Sequence, residues 1–375
     1  MGESSVLKTL KELIEIKSYV SDSNNEAKLG DYIYDYLTKN TNLTIEKQDV
    51  EKNRFNLIAY KTKKPKIILF GHMDTVPPKV ESKEPFTARE DSGKLYGLGS
   101  VDMKAGLAVM LEIAAKYNTD EEIAYIFTVD EEYEFKGVKK LIEKYTFEPE
   151  YIVNLEPTNL KIYNGCRGVA EFSFNVHGES CHASKKDEGI NAIEKTFELY
   201  DILQQEITKL NSKDLKNTLN LAYTNGGILD ENNNVVSNAN VIPNFCKSVG
   251  EIRVASPEID ETYLKDKIFG ISSNLGVEIS DYNLRFLLGS MYTDKTALKS
   301  FEEAVRDSDL KIEYGDVANS GYFEVQQLQG KWGGNVVIFG PGPSSNAHKV
   351  NEYVDLNTLY KTVEVIESFV KLCLK

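Results

Sequence analysis

Cysteine and histidine are both scarce in this chain of 375 residues, which contains four of each. No two cysteines form a Cys-x-x-Cys pair, because they are scattered along the chain as Cys166, Cys181, Cys246 and Cys373. A disulfide framework is therefore disfavoured, and the spacing indicates reduced thiols. We expect a cytoplasmic protein.

The chain also lacks a basic charge excess and any long apolar run. It has 44 Lys and Arg against 58 Asp and Glu, which gives a formal net charge of -14. Nucleic acids and anionic membrane surfaces both require a basic face, so neither is an expected partner. No run approaches the ~20 apolar residues that a membrane span needs. The charged, amphipathic segment from Leu7 to Ile14 predicts a helix and not a signal peptide.

The length exceeds what one hydrophobic core usually supports, so two domains are expected. From residue 1 to about 165, short apolar strand candidates alternate with helical patterns, which is typical of an α/β layer domain. The run Ile67 to Phe70 is apolar throughout, as in a strand buried on both faces of a sheet. The same alternation resumes after about residue 290. We therefore predict one discontinuous domain from residues 1–165 and 290–375.

Residues 166–289 follow a different pattern, which predicts an inserted α+β domain. Strand and helix candidates occur there in the order strand, helix, strand, strand, helix, strand. This order is the split βαβ pattern of ferredoxin-like domains. The candidates are residues 169–176, 190–210, 219–224, 248–254, 259–275 and 277–286.

Histidines and carboxylates follow several of the predicted buried strands. In open α/β sheets, ligands gather outside the carboxyl ends of the strands, so these side chains are expected at one rim. Two imidazoles together with carboxylates suit divalent zinc or cobalt. The sequence therefore predicts a metal site at this rim, with ligand candidates His72, Asp102, Glu131, Glu132, Glu156 and His348.

Two assignments stay open on the residues alone. Glu131 and Glu132 are adjacent and cannot face a metal in the same way, so one is expected to ligate and the other to act as a base. Asp74 lies two residues after His72 and could accept its second imidazole N–H, or it could be a turn residue before Pro77.

Six motifs, spread over nearly the whole chain, resemble the zinc aminoacylase and carboxypeptidase family. That family includes acetylornithine deacetylase, succinyl-diaminopimelate desuccinylase and the glutamate carboxypeptidases. The resemblance implies an α/β catalytic domain with a mixed sheet flanked by helices. It also implies that the ferredoxin-like insertion serves as a lid and makes a homodimer. The motifs, in order, are GHMDTVPP, GLGSVDMKAGLAVML, TVDEE, LEPT, NANVIPN and AHKVNEYV.

The same resemblance implies a two-metal site, with zinc as the expected ion and cobalt as an alternative. One ion would be held by His72, Asp102 and Glu156, and the other by Asp102, Glu132 and His348. Asp102 would thus bridge the pair, and the peptide bond that follows it would be cis. Glu131 would be the general base for the attack of a metal-activated water on an amide carbonyl.

The inserted domain supplies the expected substrate contacts. The resemblance implies that His182 helps to hold the oxyanion; the alternative is a surface histidine on a loop. Arg167, Asn240 and Arg253 are candidate substrate clamps, because guanidinium and amide groups bind carboxylates, but each could equally be structural. Many relatives carry a Gly-Thr-Asp-Ala-like stretch near the substrate carboxylate, whereas residues 318–324 here read ANSGYFE.

The predicted function is hydrolysis of the amide bond of a small N-acyl amino acid, as in acetylornithine deacetylase or succinyl-diaminopimelate desuccinylase. A dipeptidase or carboxypeptidase with the same chemistry is the alternative. A non-catalytic metal-binding relative is disfavoured by the presence of Glu131. Serine catalysis is disfavoured too, because no Gly-x-Ser-x-Gly motif occurs.

Overall fold

The structure is a computed structural model that describes residues 4–213 and 215–374. The predicted domain limits at residues 1 and 375 therefore lie outside the described residues. The chain divides into two compact units. Within the described residues, the first unit comprises 4–165, 292–316 and 323–374, and the second comprises 166–213, 215–291 and 317–322.

The N-terminal part of the first unit alternates strands with helices. A single π-helical turn, Ser100–Lys104, precedes the third helix. The elements are α1 (Ser5–Glu15), α2 (Ala27–Asn40), β1 (Thr44–Glu51), β2 (Arg54–Tyr60), β3 (Ile67–His72), β4 (Arg89–Asp91), β5 (Lys94–Tyr96), α3 (Ala105–Lys116), β6 (Ile123–Thr128), α4 (Lys136–Lys144) and β7 (Tyr151–Asn154).

The middle of the chain is richer in long strands. It contains β8 (Gly165–Cys166), β9 (Gly168–His177), α5 (Ala192–Thr208), β10 (Thr218–Leu229), β11 (Val235–Val236), β12 (Phe245–Val254), α6 (Glu261–Asn274), β13 (Glu278–Leu288) and β14 (Met291–Tyr292). The C-terminal part then returns to helices and short strands. It contains α7 (Lys299–Asp307), α8 (Val325–Trp332), β15 (Asn335–Ile338), β16 (Tyr353–Asp355) and α9 (Leu356–Cys373).

The first unit is built on a six-stranded mixed sheet with the strand order β1-β2-β6-β3-β7-β15. β6, β3, β7 and β15 run parallel to one another. β2 pairs antiparallel with β6, and β1 pairs antiparallel with β2. Helices α1, α3, α7 and α9 share one hydrophobic core with the sheet, and α4 and α8 contact it as well. The predicted α/β fold with a mixed sheet flanked by helices is confirmed.

β1 was not predicted, because it carries almost no apolar signal. Only Gln48 of its eight residues is buried, and the strand is held at the sheet edge by antiparallel pairing with β2. Helix α3 begins at Ala105. The π-helical turn before it contains Asp102 and Met103 in non-helical conformations, and the peptide bond between these two residues is cis.

The second unit contains a five-stranded antiparallel sheet with the order β11-β10-β12-β9-β13. Helices α5 and α6 pack with it around a separate hydrophobic core. Apart from the additional two-residue strand β11, its element order, β9-α5-β10-β12-α6-β13, is the strand and helix order that the sequence predicts. The lid and dimerisation roles of this unit stay predictions.

Residues 317–322 group with the second unit, although the sequence predicts the whole C-terminal stretch from residue 290 in the first domain. Side-chain contacts explain the grouping, because the Arg167 guanidinium donates to the main-chain oxygen of Ser320 at 2.9 Å. Among the described residues, no helix combines the length and the apolar character needed to cross a bilayer.

The buried strand β3 is a sensitive test of the first unit's stability. Leu69 is fully buried there, so Leu69→Ala is expected to lower the free energy of unfolding by about 2–5 kcal/mol. The single tryptophan, Trp332, is buried in the same unit against Phe147, and its fluorescence reports urea unfolding of that unit. Leu287→Ala, at an exposed position, should change the midpoint little. Equal midpoints for Leu69→Ala and the unmodified protein would contradict this account of the core.

Candidate metal centre

Parallel pairing brings several candidate side chains to one edge of the sheet. β3, β6 and β7 are parallel neighbours, so the residues that follow their carboxyl ends lie side by side. His72 ends β3 and pairs in register with Thr128 at the end of β6. Glu131 and Glu132 follow β6, and Glu156 follows β7.

The first group of candidate ligands surrounds the buried imidazole of His72. Its Nε2 lies 3.2 Å from Oδ1 of Asp102 and 3.3 Å from Oε1 of Glu156. Its Nδ1 points the other way and lies 3.1 Å from the main-chain oxygen of Asp74. The imidazole is thus oriented on one side by a hydrogen-bond partner and faces two carboxylates on the other.

The second group surrounds His348. Its Nε2 lies 3.0 Å from Oε1 of Glu132 and 3.3 Å from Oδ2 of Asp102. The two oxygens of Asp102 therefore face different histidines, Oδ1 facing His72 and Oδ2 facing His348. Each group of three offers donor atoms that all lie within 4.8 Å of one another. A carboxylate shared in this way is the arrangement that a bridged pair of cations requires.

The charge of this cluster fits bound divalent cations. Four side chains here, those of Asp102, Glu131, Glu132 and Glu156, are carboxylates with at most 14% of their surface exposed. Two imidazolium groups could offset at most half of four negative charges. Mixed nitrogen and oxygen donors of this kind suit zinc and similar ions. The residues present can therefore hold two divalent metal ions.

Burial and mutual repulsion raise the pKa values of the three glutamates of this cluster. Burial raises the pKa of Glu131 well above its ordinary value, and it raises the pKa of Glu132 as well. Burial, reinforced by the charge of Asp102, raises the pKa of Glu156 to about 7. Bound divalent cations would lower these pKa values, because they stabilise the charged form of the carboxylates.

Asp74 has a different main contact from the one expected. Its carboxylate accepts the backbone N–H groups of Glu131 at 3.1 Å and Glu132 at 3.0 Å. The nearest contact of the His72 Nδ1 atom is the main-chain oxygen of Asp74, and the carboxylate oxygen lies farther off at 3.4 Å. Asp74 therefore orients His72 mainly through its backbone and holds the Glu131–Glu132 turn through its side chain.

A buried ion network fixes the residue before that turn. Asp130 has a positive φ of 73°, and its carboxylate accepts a hydrogen bond from Arg54 at 2.7 Å. The Arg54 guanidinium also donates to both oxygens of the fully buried Glu26. The same Asp130 carboxylate accepts the backbone N–H groups of Glu134 and Lys136. Sequence reasoning missed this network because its members are far apart in the chain.

Two further buried carboxylates were not singled out from the sequence. Glu324 accepts a hydrogen bond from the Thr128 hydroxyl, and burial raises its pKa to about 8. Glu352 accepts backbone N–H groups of the turn that carries Asp102. Glu352 lies within the AHKVNEYV motif, and Glu324 ends the segment that departs from the family pattern. The location of each glutamate in one of these segments is the signal by which the sequence could have pointed to it.

The remaining predicted residues belong to the second unit. His182 and Asn240 lie on adjoining segments, because His182 forms a bridge with Val241 and the Ala183 N–H donates to the Asn240 oxygen. The His182 side chain is exposed and lies 2.8 Å from the hydroxyl of Ser184. Its role in holding an oxyanion stays a prediction.

The two candidate arginine clamps both contact residues 317–322. Arg167 bonds to Ser320 through its backbone and its guanidinium. Arg253 lies over the ring of Tyr322 at 5.1 Å and forms an ion pair with Glu251 at 2.9 Å. Their roles in substrate binding stay predictions.

Comparison with known proteins identifies the class. The sequence model of Peptidase family M20/M25/M40 matches residues 68–372, which is well over half of the chain. The protein is a metal-dependent hydrolase. It belongs to Peptidase family M20/M25/M40.

Two curated relatives extend over nearly the whole chain. The acetylornithine deacetylase of Buchnera aphidicola subsp. Schizaphis graminum is 26% identical and is matched over 98% of this chain and 97% of its own length. A probable succinyl-diaminopimelate desuccinylase of Staphylococcus aureus is 24% identical, with the same coverage of both chains. The predicted family is confirmed.

Solved structures show the same fold. A tripeptidase from Staphylococcus aureus superposes with a TM-score of 0.76 at 21% identity and covers both chains completely. A dinuclear metal-binding peptidase of the M20 family from Bacillus subtilis superposes with a TM-score of 0.71 at 16% identity, covering 98% of this chain and 97% of its own.

The protonation of His348 provides a test in the metal-free protein. Hydrogen bonds with Asp102 and Glu132 raise the pKa of His348 to about 10. The imidazole should therefore stay protonated through neutral pH, and metal binding must displace this proton, so metal affinity should fall as the pH is lowered. NMR titration of the metal-free protein measures the pKa directly, with His348→Asn used for assignment. A His348 resonance that titrates near the ordinary value of ~6.5 would contradict the geometry described above.

Proposed function

We propose that this protein hydrolyses the amide bond of a small N-acyl amino acid at a site that holds two divalent metal ions. The observation that carries the proposal is the sharing of Asp102 between two groups of donors, one with His72 and Glu156 and the other with Glu132 and His348. Zinc is the proposed ion, because the donor set combines imidazole nitrogen with carboxylate oxygen. Cobalt satisfies the same preferences.

When bound, such a metal pair supplies Lewis acidity, which polarises a carbonyl and makes a water molecule more acidic. Glu131 is the proposed general base. Its side chain has an oxygen 4.0 Å from Nε2 of His72, so it lies beside the donor groups without being a member of either. A carboxylate in that position can take a proton from the attacking water and later deliver it to the leaving amine.

The backbone contacts of Asp74 support a division of roles between the two adjacent glutamates. The Asp74 carboxylate accepts one N–H from each of Glu131 and Glu132, so both residues are held in a fixed turn. In this turn Oε1 of Glu132 lies 3.0 Å from Nε2 of His348. We infer that Glu132 serves as a ligand and Glu131 as the base.

The deacylase assignment is supported by the two full-length relatives that carry deacetylase and desuccinylase names. A dipeptidase or carboxypeptidase is the second candidate, and it is supported by the fold similarity to a tripeptidase. Both candidates break an amide bond with the same residues. They differ in the group removed from the amino nitrogen, which is a simple acyl group in the first case and another amino acid in the second.

The second unit is proposed to serve as a lid and as the contact of a homodimer. His182 is the proposed oxyanion donor, and Arg167, Asn240 and Arg253 are the proposed substrate clamps. The partial exposure of Arg167 and Arg253 supports this role, because a substrate can reach such side chains. We propose a cytoplasmic location on the evidence of the scattered free cysteines.

A panel of substrates separates the two candidate functions. After zinc or cobalt reconstitution, release of free amine is measured from N-acetylornithine, N-succinyl-diaminopimelate, other N-acyl amino acids and simple dipeptides. The proposal expects the highest kcat/KM on one N-acyl amino acid. A higher kcat/KM on dipeptides would make the protein a peptidase, and no turnover of any amide would reject the enzymatic proposal.

Replacement of the proposed base tests the mechanism. Glu131→Gln is expected to lower kcat by about 10²–10⁴-fold, because the amide cannot accept the proton from water. Bound metal, measured by elemental analysis, should be retained, since Glu131 is not among the proposed ligands. Glu134→Gln makes the same chemical change at an exposed site on the same turn and should leave kcat unaltered. Full activity in Glu131→Gln would remove Glu131 from the mechanism.

A further inference from the structure

A buried carboxylate holds the backbone segment that carries Asp102. Glu352 is only 4% exposed and lies just before β16, far from this segment in the chain. Its side chain accepts three backbone N–H groups. They are those of Gly99 to Oε2 at 3.0 Å, Val101 to Oε1 at 2.9 Å and Asp102 to Oε1 at 3.1 Å.

These hydrogen bonds replace contacts that the turn cannot make for itself. Asp102 and Met103 lie in non-helical conformations inside the π-helical turn, so regular helical hydrogen bonding does not continue through them. Buried N–H groups without acceptors carry a substantial free-energy cost. The Glu352 carboxylate supplies acceptors to three of them at once, and a charged acceptor forms stronger hydrogen bonds than a neutral one.

Other contacts hold the two ends of the same turn. The N–H of Gly97 donates to the main-chain oxygen of Glu352 at 3.1 Å, so backbone and side chain act together. At the far end of the turn, the buried Lys104 ammonium donates to the main-chain oxygen of Ile16 at 2.7 Å. Gly99 has a φ of 75°, and a Cβ at this position would meet Thr75 at 2.6 Å. These contacts and the Glu352 carboxylate together hold the turn in place.

We propose that Glu352 is a positioning residue that aims the two carboxylate oxygens of Asp102 at the two donor groups. The inference rests on the proposed metal centre. Oδ1 and Oδ2 of Asp102 lie 3.2 Å from His72 and 3.3 Å from His348, so a small rotation of the Asp102 backbone would take one oxygen out of reach. Glu352 donates no atom to either metal group. Glu352 positions the Asp102 side chain by accepting the backbone N–H groups of Val101 and Asp102.

Glu352→Gln tests this role with little change of shape. A glutamine has one oxygen in place of two, so its NH₂ group must face either the Gly99 N–H or the pair from Val101 and Asp102. A donor would then meet a donor, and the turn would shift. Cobalt affinity of the metal-free protein is expected to fall by about 10- to 100-fold, the range found for residues that orient metal ligands.

The measurement is a titration of metal-free protein with Co²⁺ in competition with a chromophoric chelator, together with the visible absorption of the bound cobalt. Asp355→Asn is the matched control. It also converts a carboxylate to an amide in the same segment, but Asp355 caps α9 through the Asn357 N–H at 2.9 Å, a role that asparagine fills equally well. Its cobalt affinity should match that of the unmodified protein. Circular dichroism of the metal-free forms checks that each variant is folded.

Wild-type cobalt affinity and an unchanged absorption spectrum in folded Glu352→Gln would overturn the inference. Should that variant not fold, Glu352→Asp keeps the charge but withdraws both oxygens by one methylene, and wild-type affinity there would overturn it equally. If the unmodified protein itself fails to bind two cobalt ions, the proposed metal centre is rejected and the inference falls with it. Failure of the metal centre is therefore seen in the unmodified protein, whereas failure of the Glu352 inference is seen only in the variants.

Discussion

The concentration of negative charge at one buried sheet edge is the constraint on which the rest of the first unit depends. Removing carboxylates from water costs several kcal/mol for each group unless cations or hydrogen-bond donors compensate. Four carboxylates, those of Asp102, Glu131, Glu132 and Glu156, lie near two imidazoles. Backbone N–H groups donate to the supporting acids Asp74 and Glu352. Hydrogen bonds thus hold the turns that carry the proposed ligands, and bound divalent cations would complete the charge balance.

The supporting acids are themselves held by contacts that extend well away from the ligands. Arg54 is 6% exposed and joins Glu26 to Asp130, the residue that starts the Glu131–Glu132 turn at a positive φ. A positive φ outside glycine is uncommon and is stabilised here by this ion network. Loss of the arginine would leave two buried carboxylates unpaired, which typically costs about 3–5 kcal/mol. The orientation of the proposed base thus depends on Arg54, which lies 76 positions before Asp130 in the chain.

The parts of the fold that could be predicted from the sequence are those with a local signal. The apolar run of β3 and the histidine at its end predicted both a buried strand and a ligand at the sheet edge. β1 gave no such signal, because one buried residue in eight leaves no apolar pattern. The hydrogen bonds of Glu352 to Gly99 and Asp102 cross about 250 positions, and no local pattern encodes them. The Arg54 network was missed for the same reason.

The residues proposed for the reaction chemistry and those proposed for substrate choice have different surroundings. The proposed ligands Asp102 and Glu132 and the proposed base Glu131 lie on turns whose backbone N–H groups donate to buried carboxylates. A substitution of one of those carboxylates would therefore disturb several hydrogen bonds at once. Arg253, by contrast, is about one-third exposed and already paired with Glu251, so a substrate carboxylate would have to compete with an existing ion pair. Tyr322, in the segment that departs from the family pattern, stacks on the same guanidinium. If Arg253 binds substrate as proposed, exchange of such partly exposed partners would alter specificity and leave the turns that carry Asp102 and Glu131 unchanged.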